Sequence, residues 1–236
     1  MKDIRYNLLI AGLAIALMAP ISASAQSGTE FGVDLALAVP QGAFQQNVDQ
    51  TGFGINLHGG THLFRSPLFV GIDAGIHVYG SENRYVPLSM TIPDIEARVH
   101  TTNNLAQVHG MLRLQPITGK VRPYVDGLYG VKYLYTRTSL TNEFDEEVVG
   151  STNFDDYTVS YGVGAGLDVQ VWQGAMGDDD RPGRVYLTFG ARYLLGGEAE
   201  YLREGDIERE LGSYSFNTTR STVDIVQPRF GVTIAF

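Results

Sequence analysis

The stretch from Tyr157 to Trp172 reads YTVSYGVGAGLDVQVW. Its odd positions, Tyr157, Val159, Tyr161, Val163, Ala165, Leu167, Val169 and Val171, are all apolar or aromatic. Between them lie Ser160, Gly162, Gly164, Gly166, Asp168 and Gln170. Successive side chains of a strand point to opposite faces, so this pattern predicts one strand with an apolar face and a polar, glycine-rich face. It outruns an ordinary soluble strand of about 5–6 residues and satisfies the roughly 9–11 that a tilted membrane strand needs. Gly162-Val163-Gly164-Ala165-Gly166 sits inside this strand with no helix after it, so it is not a phosphate-binding loop.

Seven further segments repeat the pattern: Phe31–Val39, Phe53–Leu63, Leu68–Gly80, about Asn104–Leu114, Val121–Thr138, Arg184–Leu195 and Val226–Phe236. An even number of long strands predicts a closed, all-β, eight-stranded antiparallel up-and-down barrel. Its connections alternate in length. Phe64–Pro67 and Gln115–Lys120 are short, whereas Pro40–Gly52, Ser81–Asn103, Ser139–Asp156 and Gly196–Ile225 are long. Gln173–Gly183 is the longest of the short set. Short turns at one end and long loops at the other are the habit of barrels that cross an outer membrane.

Three features predict that the apolar face looks outward. The polar face carries many glycines, among them Gly32, Gly54, Gly60, Gly71, Gly75, Gly130 and Gly190, which suit a narrow interior crowded with large side chains. Aromatics such as Phe31, Tyr133, Tyr135, Tyr157, Tyr193 and Phe236 lie near strand ends, where a membrane interface would be. The polar face also carries Asp34, Asp73, Asp126 and Asp168 together with Arg113, Arg122, Lys132, Arg184, Arg192 and Arg229. A basic residue facing hydrocarbon at mid-membrane costs roughly 2–4 kcal/mol, so these ten are expected inside, paired as a plug rather than lining a pore.

Composition agrees. The 236 residues include 28 Gly, 13 Tyr and 11 Phe, and only 18% are charged. The absence of cysteine excludes disulfides, thiol catalysis and Cys-ligated metal. A net charge of −9 with no basic run excludes a nucleic-acid partner. At the N-terminus, Lys2 and Arg5 precede the apolar run Leu8–Met18 and the small residues Ala23-Ser24-Ala25. That is a secretory signal peptide over residues 1–25, with the mature barrel domain over 26–236; the run is too short to span a membrane as a helix.

The mature chain resembles the small eight-stranded outer-membrane barrels of the OmpA, OmpX and OmpW type, the outer-membrane β-barrel domain family. The resemblance rests on the signal peptide, the eight segments, the loop asymmetry and the ending Arg229-Phe230-Gly231-Val232-Thr233-Ile234-Ala235-Phe236. It implies integral insertion in a bacterial outer membrane, with lipid and lipopolysaccharide as surroundings. It further implies that Phe230, Val232, Ile234 and Phe236 carry the signal read by the barrel assembly machinery. No peptidoglycan-binding domain is expected after Phe236.

No catalytic residues, cofactor or metal are expected. His58, His62, His77 and His109 fall on the inward face, where hydrogen-bonded interior histidines are the expectation and metal ligation the alternative. His100 stands apart in a loop. No Gly-x-Ser-x-Gly occurs. Loop 139–156 carries Glu143, Asp145, Glu146, Glu147, Asp155 and Asp156, and loop 196–222 carries Glu198, Glu200, Glu204, Asp206, Glu208 and Glu210 offset by Arg203, Arg209 and Arg220. These acidic loops are the expected contacts for an extracellular ligand. Asp178-Asp179-Asp180 reads as a polar turn, lacking the spacing and closing Glu of a calcium loop. The expected function is a non-enzymatic structural or surface-interaction role. A small-solute porin or hydrophobic-compound transporter, and a soluble secreted lipocalin-like carrier, are the alternatives.

Overall fold

The computed structural model describes residues 28–87, 96–141, 147–175, 182–202, 207–210, 213–216 and 218–236. Eight long strands close into one antiparallel barrel: β1 (Thr29–Gln41), β2 (Gly52–His62), β3 (Leu68–Pro87), β4 (Glu96–Leu114), β5 (Val121–Thr141), β6 (Glu147–Ala175), β7 (Pro182–Gly196) and β12 (Asp224–Ala235). Each pairs with its neighbour in the chain, and β12 returns to β1 with Val33 opposite Val232. Between β7 and β12, the short strands β8 (Glu198–Tyr201) and β11 (Thr219–Thr222) form one ribbon, and β9 (Ile207–Glu210) and β10 (Ser213–Phe216) another. A short helix, Gly42–Asn47, follows β1.

The two faces sort as the alternation predicts. On β1, Phe31, Val33, Leu35 and Leu37 are exposed, while Glu30, Asp34, Ala36 and Ala38 are buried. On β6, Tyr157, Val159, Tyr161, Val163 and Leu167 are exposed, while Thr158, Ser160 and Asp168 are buried. A belt of exposed Val, Leu, Ile, Phe and Tyr around a charged interior is the inverse of a water-soluble protein and matches hydrocarbon outside. A lipocalin-like carrier needs the opposite orientation, so that alternative is excluded. Among the described residues no helix is long and apolar enough to cross a membrane; the crossing is made by strands.

The strands run further than the alternation shows. Ser81–Asn103 is not wholly loop: β3 and β4 stay paired from Gly80–Asn103 to Pro87–Glu96. Ser139–Asp156 is largely ladder as well, since β5 and β6 pair out to Thr141–Glu147. Both faces of these extensions lie beyond the lipid, so nothing enforces an apolar–polar alternation there. His100 Nδ1 and Asn83 Oδ1 (2.8 Å) and the Thr101 and Thr138 hydroxyls (3.0 Å) join neighbouring strands instead. The last β2–β3 pair is Phe53–Val78, and the first β6–β7 pair is Ser160–Gly196. Strands β3 to β6 therefore rise above the rim as a four-stranded sheet. On the other side of the mouth, the helix packs against β1, β12 and the β8–β11 ribbon.

The expected signal peptide, Glu143, Asp145, Glu146, Asp178, Asp179, Asp180, Arg203, Glu204 and Asp206 lie outside the described residues.

Candidate functional site

The site is the lumen and its mouth. Buried charges cross the lumen in layers. At the turn end, Arg122 donates from Nη1 to Glu30 Oε1 (2.6 Å) and from Nη2 to Glu30 Oε2 (3.1 Å) and Asp168 Oδ2 (3.0 Å). This joins β1, β5 and β6 across the barrel. Gln115 Nε2 donates to the same Asp168 oxygen at 2.6 Å, and the Arg122 guanidinium lies 3.8 Å from the centre of the Tyr186 ring.

The middle layer centres on Asp126. Arg113 grips it with two hydrogen bonds, Nε to Oδ1 (2.7 Å) and Nη2 to Oδ2 (3.1 Å). Arg229 Nη1 donates to Asp34 Oδ2 at 2.9 Å, and its Nη2 to the Tyr124 hydroxyl at 2.9 Å. Arg192 forms ion pairs with Asp73 (2.8 Å) and Asp126 (3.5 Å). The Tyr124 ring stacks 4.0 Å from Arg113 and lies over Gly166 and Gly190, whose missing Cβ atoms leave it room. Charged hydrogen bonds of this kind hold their geometry because each lost partner would leave a buried charge uncompensated.

Above this, Gln227 Nε2 donates to His77 Nε2 (3.1 Å), and Gln107 Nε2 donates to Gln227 Oε1 (3.4 Å). Lys132 Nζ donates to the backbone carbonyls of Leu194 (3.0 Å) and Val223 (2.7 Å). The mouth is then closed by an apolar layer containing Phe44, Tyr79, Leu105, Leu134, Leu194, Tyr201, Val223 and Ile225. Phe44, carried in by the short helix, meets Tyr79 and Tyr201 edge-on with ring centres 5.7 and 5.2 Å apart.

Nine of the ten charges expected inside are fully buried in the lumen: Asp34, Asp73, Asp126, Asp168, Arg113, Arg122, Lys132, Arg192 and Arg229. Arg184 is the exception, half-buried at the turn end of β7, where the barrel opens to the membrane surface. The four inward histidines are buried but separate. His58 lies 3.1 Å from Asp34, His62 3.3 Å from Glu30, His77 on Gln227, and His109 3.0 Å from Ser160. Among the described residues no group of three or more His, Asp or Glu could hold a metal. Ser160 gives its proton to the Leu195 carbonyl (2.9 Å), so His109 donates to the serine oxygen rather than deprotonating it. This pair is sealed in the wall and is not arranged as a nucleophile and base.

Several participants escaped the sequence reading. Glu30 stands one position before the first apolar residue of β1 and shares the inward parity of Asp34; extending the alternation by one residue finds it. Phe44 lies in a connection, where no periodicity marks it. The inward Tyr124, Leu128 and Leu134 obey the parity of Asp126 and Lys132 and are hidden only because they are apolar.

A family model for the outer membrane protein beta-barrel domain matches residues 10–193. The chain belongs to the outer-membrane β-barrel domain family. Its place is accordingly the outer membrane. The solved structures it is similar to include Neisserial surface protein A, at 14% identity over 89% of this chain and 95% of that one, with a TM-score of 0.42. They also include a major outer membrane protein of Thermus thermophilus, at 12% identity over 88% and 99%, with a TM-score of 0.40. A third is Ail of Yersinia pestis in complex with the heparin analogue sucrose octasulfate, at 14% identity over 89% and 97%, with a TM-score of 0.33. No protein of curated function matches the sequence.

Proposed function

We propose that this outer-membrane barrel is a sealed, non-enzymatic scaffold that holds a tall sheet of paired strands above the membrane to contact a partner outside the cell. The observation that carries this reading is the uneven rim: β3 to β6 continue their pairing beyond the level where β2–β3 and β6–β7 pairing ends. Extended strands with unshared edge groups can be recognised through the backbone, and the acidic residues of loops 139–156 and 196–222 favour a partner with positive charge. The layered ion pairs and the apolar mouth favour a filled wall over a solute path.

In this reading residues 1–25 are an export signal, and Phe236 closes a strand recognised by the assembly machinery. Lipopolysaccharide surrounds the outer half of the barrel. The test is to trim the β3–β4 extension (residues 81–102) and the β5–β6 extension (138–154) to short turns. Whole cells displaying the full or trimmed barrel are then compared for retention on matrix proteins and host-cell surfaces. The full barrel is expected to confer retention that salt weakens and trimming removes. Equal retention by the two forms overturns the proposal.

A further inference from the structure

The lumen is balanced in number but not in place. Its five buried carboxylates, Glu30, Asp34, Asp73, Asp126 and Asp168, all form their ion pairs with the four buried arginines. Lys132 is the fifth buried cation among the described residues; it sits opposite Gln107 in the β4–β5 register and pairs with none of the five carboxylates. Among the described residues no carboxylate lies within ion-pair distance of it; Asp224, which turns its Oδ1 to the Gly196 amide, acts on the ammonium only through its field. Two of the three ammonium protons go to the Leu194 and Val223 carbonyls, which leaves one without an acceptor among the described residues. Leu194 and Val223 belong to the apolar layer that fills the mouth, so the ammonium is the floor of an apolar compartment. The Tyr79 hydroxyl, buried in the same layer, has no hydrogen-bond partner among the described residues. The ring occupying this compartment, Phe44, is delivered by a connecting segment rather than by the barrel wall.

We propose that the mouth is a binding site for a small amphipathic carboxylate. Its hydrocarbon replaces the Phe44 ring between Tyr79 and Tyr201, and its single negative charge takes the remaining proton of Lys132. A monoanion fits because one donor is left and the two carbonyls beside it would repel a second charge. The site needs no path through the lumen, so it stands independently of the surface-contact role.

The test uses the full mature chain in phosphatidylcholine nanodiscs, with octanoate as probe and octanol and octylammonium as controls of equal chain length. Phe44→Trp combined with Trp172→Phe puts the chain's one tryptophan in the mouth. Octanoate is expected to shift its emission saturably, and the two controls are not. Lys132→Met in the same background is expected to weaken binding about ten- to a hundredfold, the worth of one charged hydrogen bond, with Lys132→Arg retaining it. A response to octanol equal to that for octanoate, or a Lys132→Met barrel that binds as well as its parent, overturns the proposal. Should the Lys132→Met barrel fail to fold, the three head groups on the Lys132 barrel decide alone. Carboxyl-labelled octanoate with the unsubstituted barrel gives a second readout: line broadening beyond that in empty nanodiscs is expected, and its absence also overturns the site.

Discussion

Arg229 shows what a single residue does here. It joins β12 to β1 through Asp34 and to β5 through Tyr124 and Asp126, and it is buried. Replacing it with Met leaves the buried Asp34 and Asp126 short of a counter-charge, at a cost of about 3–5 kcal/mol. The urea midpoint of the folded band on unboiled gels is expected to fall accordingly. Gly32 shows the opposite constraint. A Cβ there would run into the His58 ring and the Thr233 hydroxyl, so Gly32→Ala has to push the imidazole off Asp34. The expected loss is about 1–3 kcal/mol by the same gel assay, whereas Gly110→Ala, whose Cβ would meet only open space and a distant carbonyl, is expected to be nearly neutral.

At the scale of elements, what was legible followed the lipid. Where a strand crosses hydrocarbon, one face must be apolar and the other must not, and β1, β2, β6 and β7 can be read residue by residue. Above the membrane that pressure ends, which is why Ser81–Glu82–Asn83 and Thr101–Thr102–Asn103 read as loop and pair as strand. The charged layers were half legible. Parity places Asp126 and Arg113 inside, but their direct contact depends on the register that sets Arg113 opposite Asp126 across β4 and β5. The helix Gly42–Asn47 was not legible, because one buried aromatic in six residues leaves no period to detect. Its dependence on Phe44 is testable. Phe44→Ala is expected to raise amide hydrogen exchange across residues 42–48 while leaving β1 to β7 protected, because the helix is pinned by its buried ring and not by the ladder.

As a whole molecule, the proposed scaffold is a solid post rather than a pipe. Planar-bilayer recordings of the purified chain are expected to stay silent at moderate voltage, and discrete conductance steps would contradict the crossing layers. The seam between β1 and β12 has a further consequence, for the order of events during assembly. Asp34 and Arg229 are separated by 195 residues, yet each is the other's partner. The arginine is made 195 residues after the aspartate. Until the two edges meet, a growing sheet would show one wet, multiply charged side to whatever it enters. Hydrocarbon rejects that side, so the sheet cannot dissolve in the bilayer first and curl up afterwards. Entry and closure must proceed as one concerted act, and the seam that completes the circle is what admits the protein to its solvent.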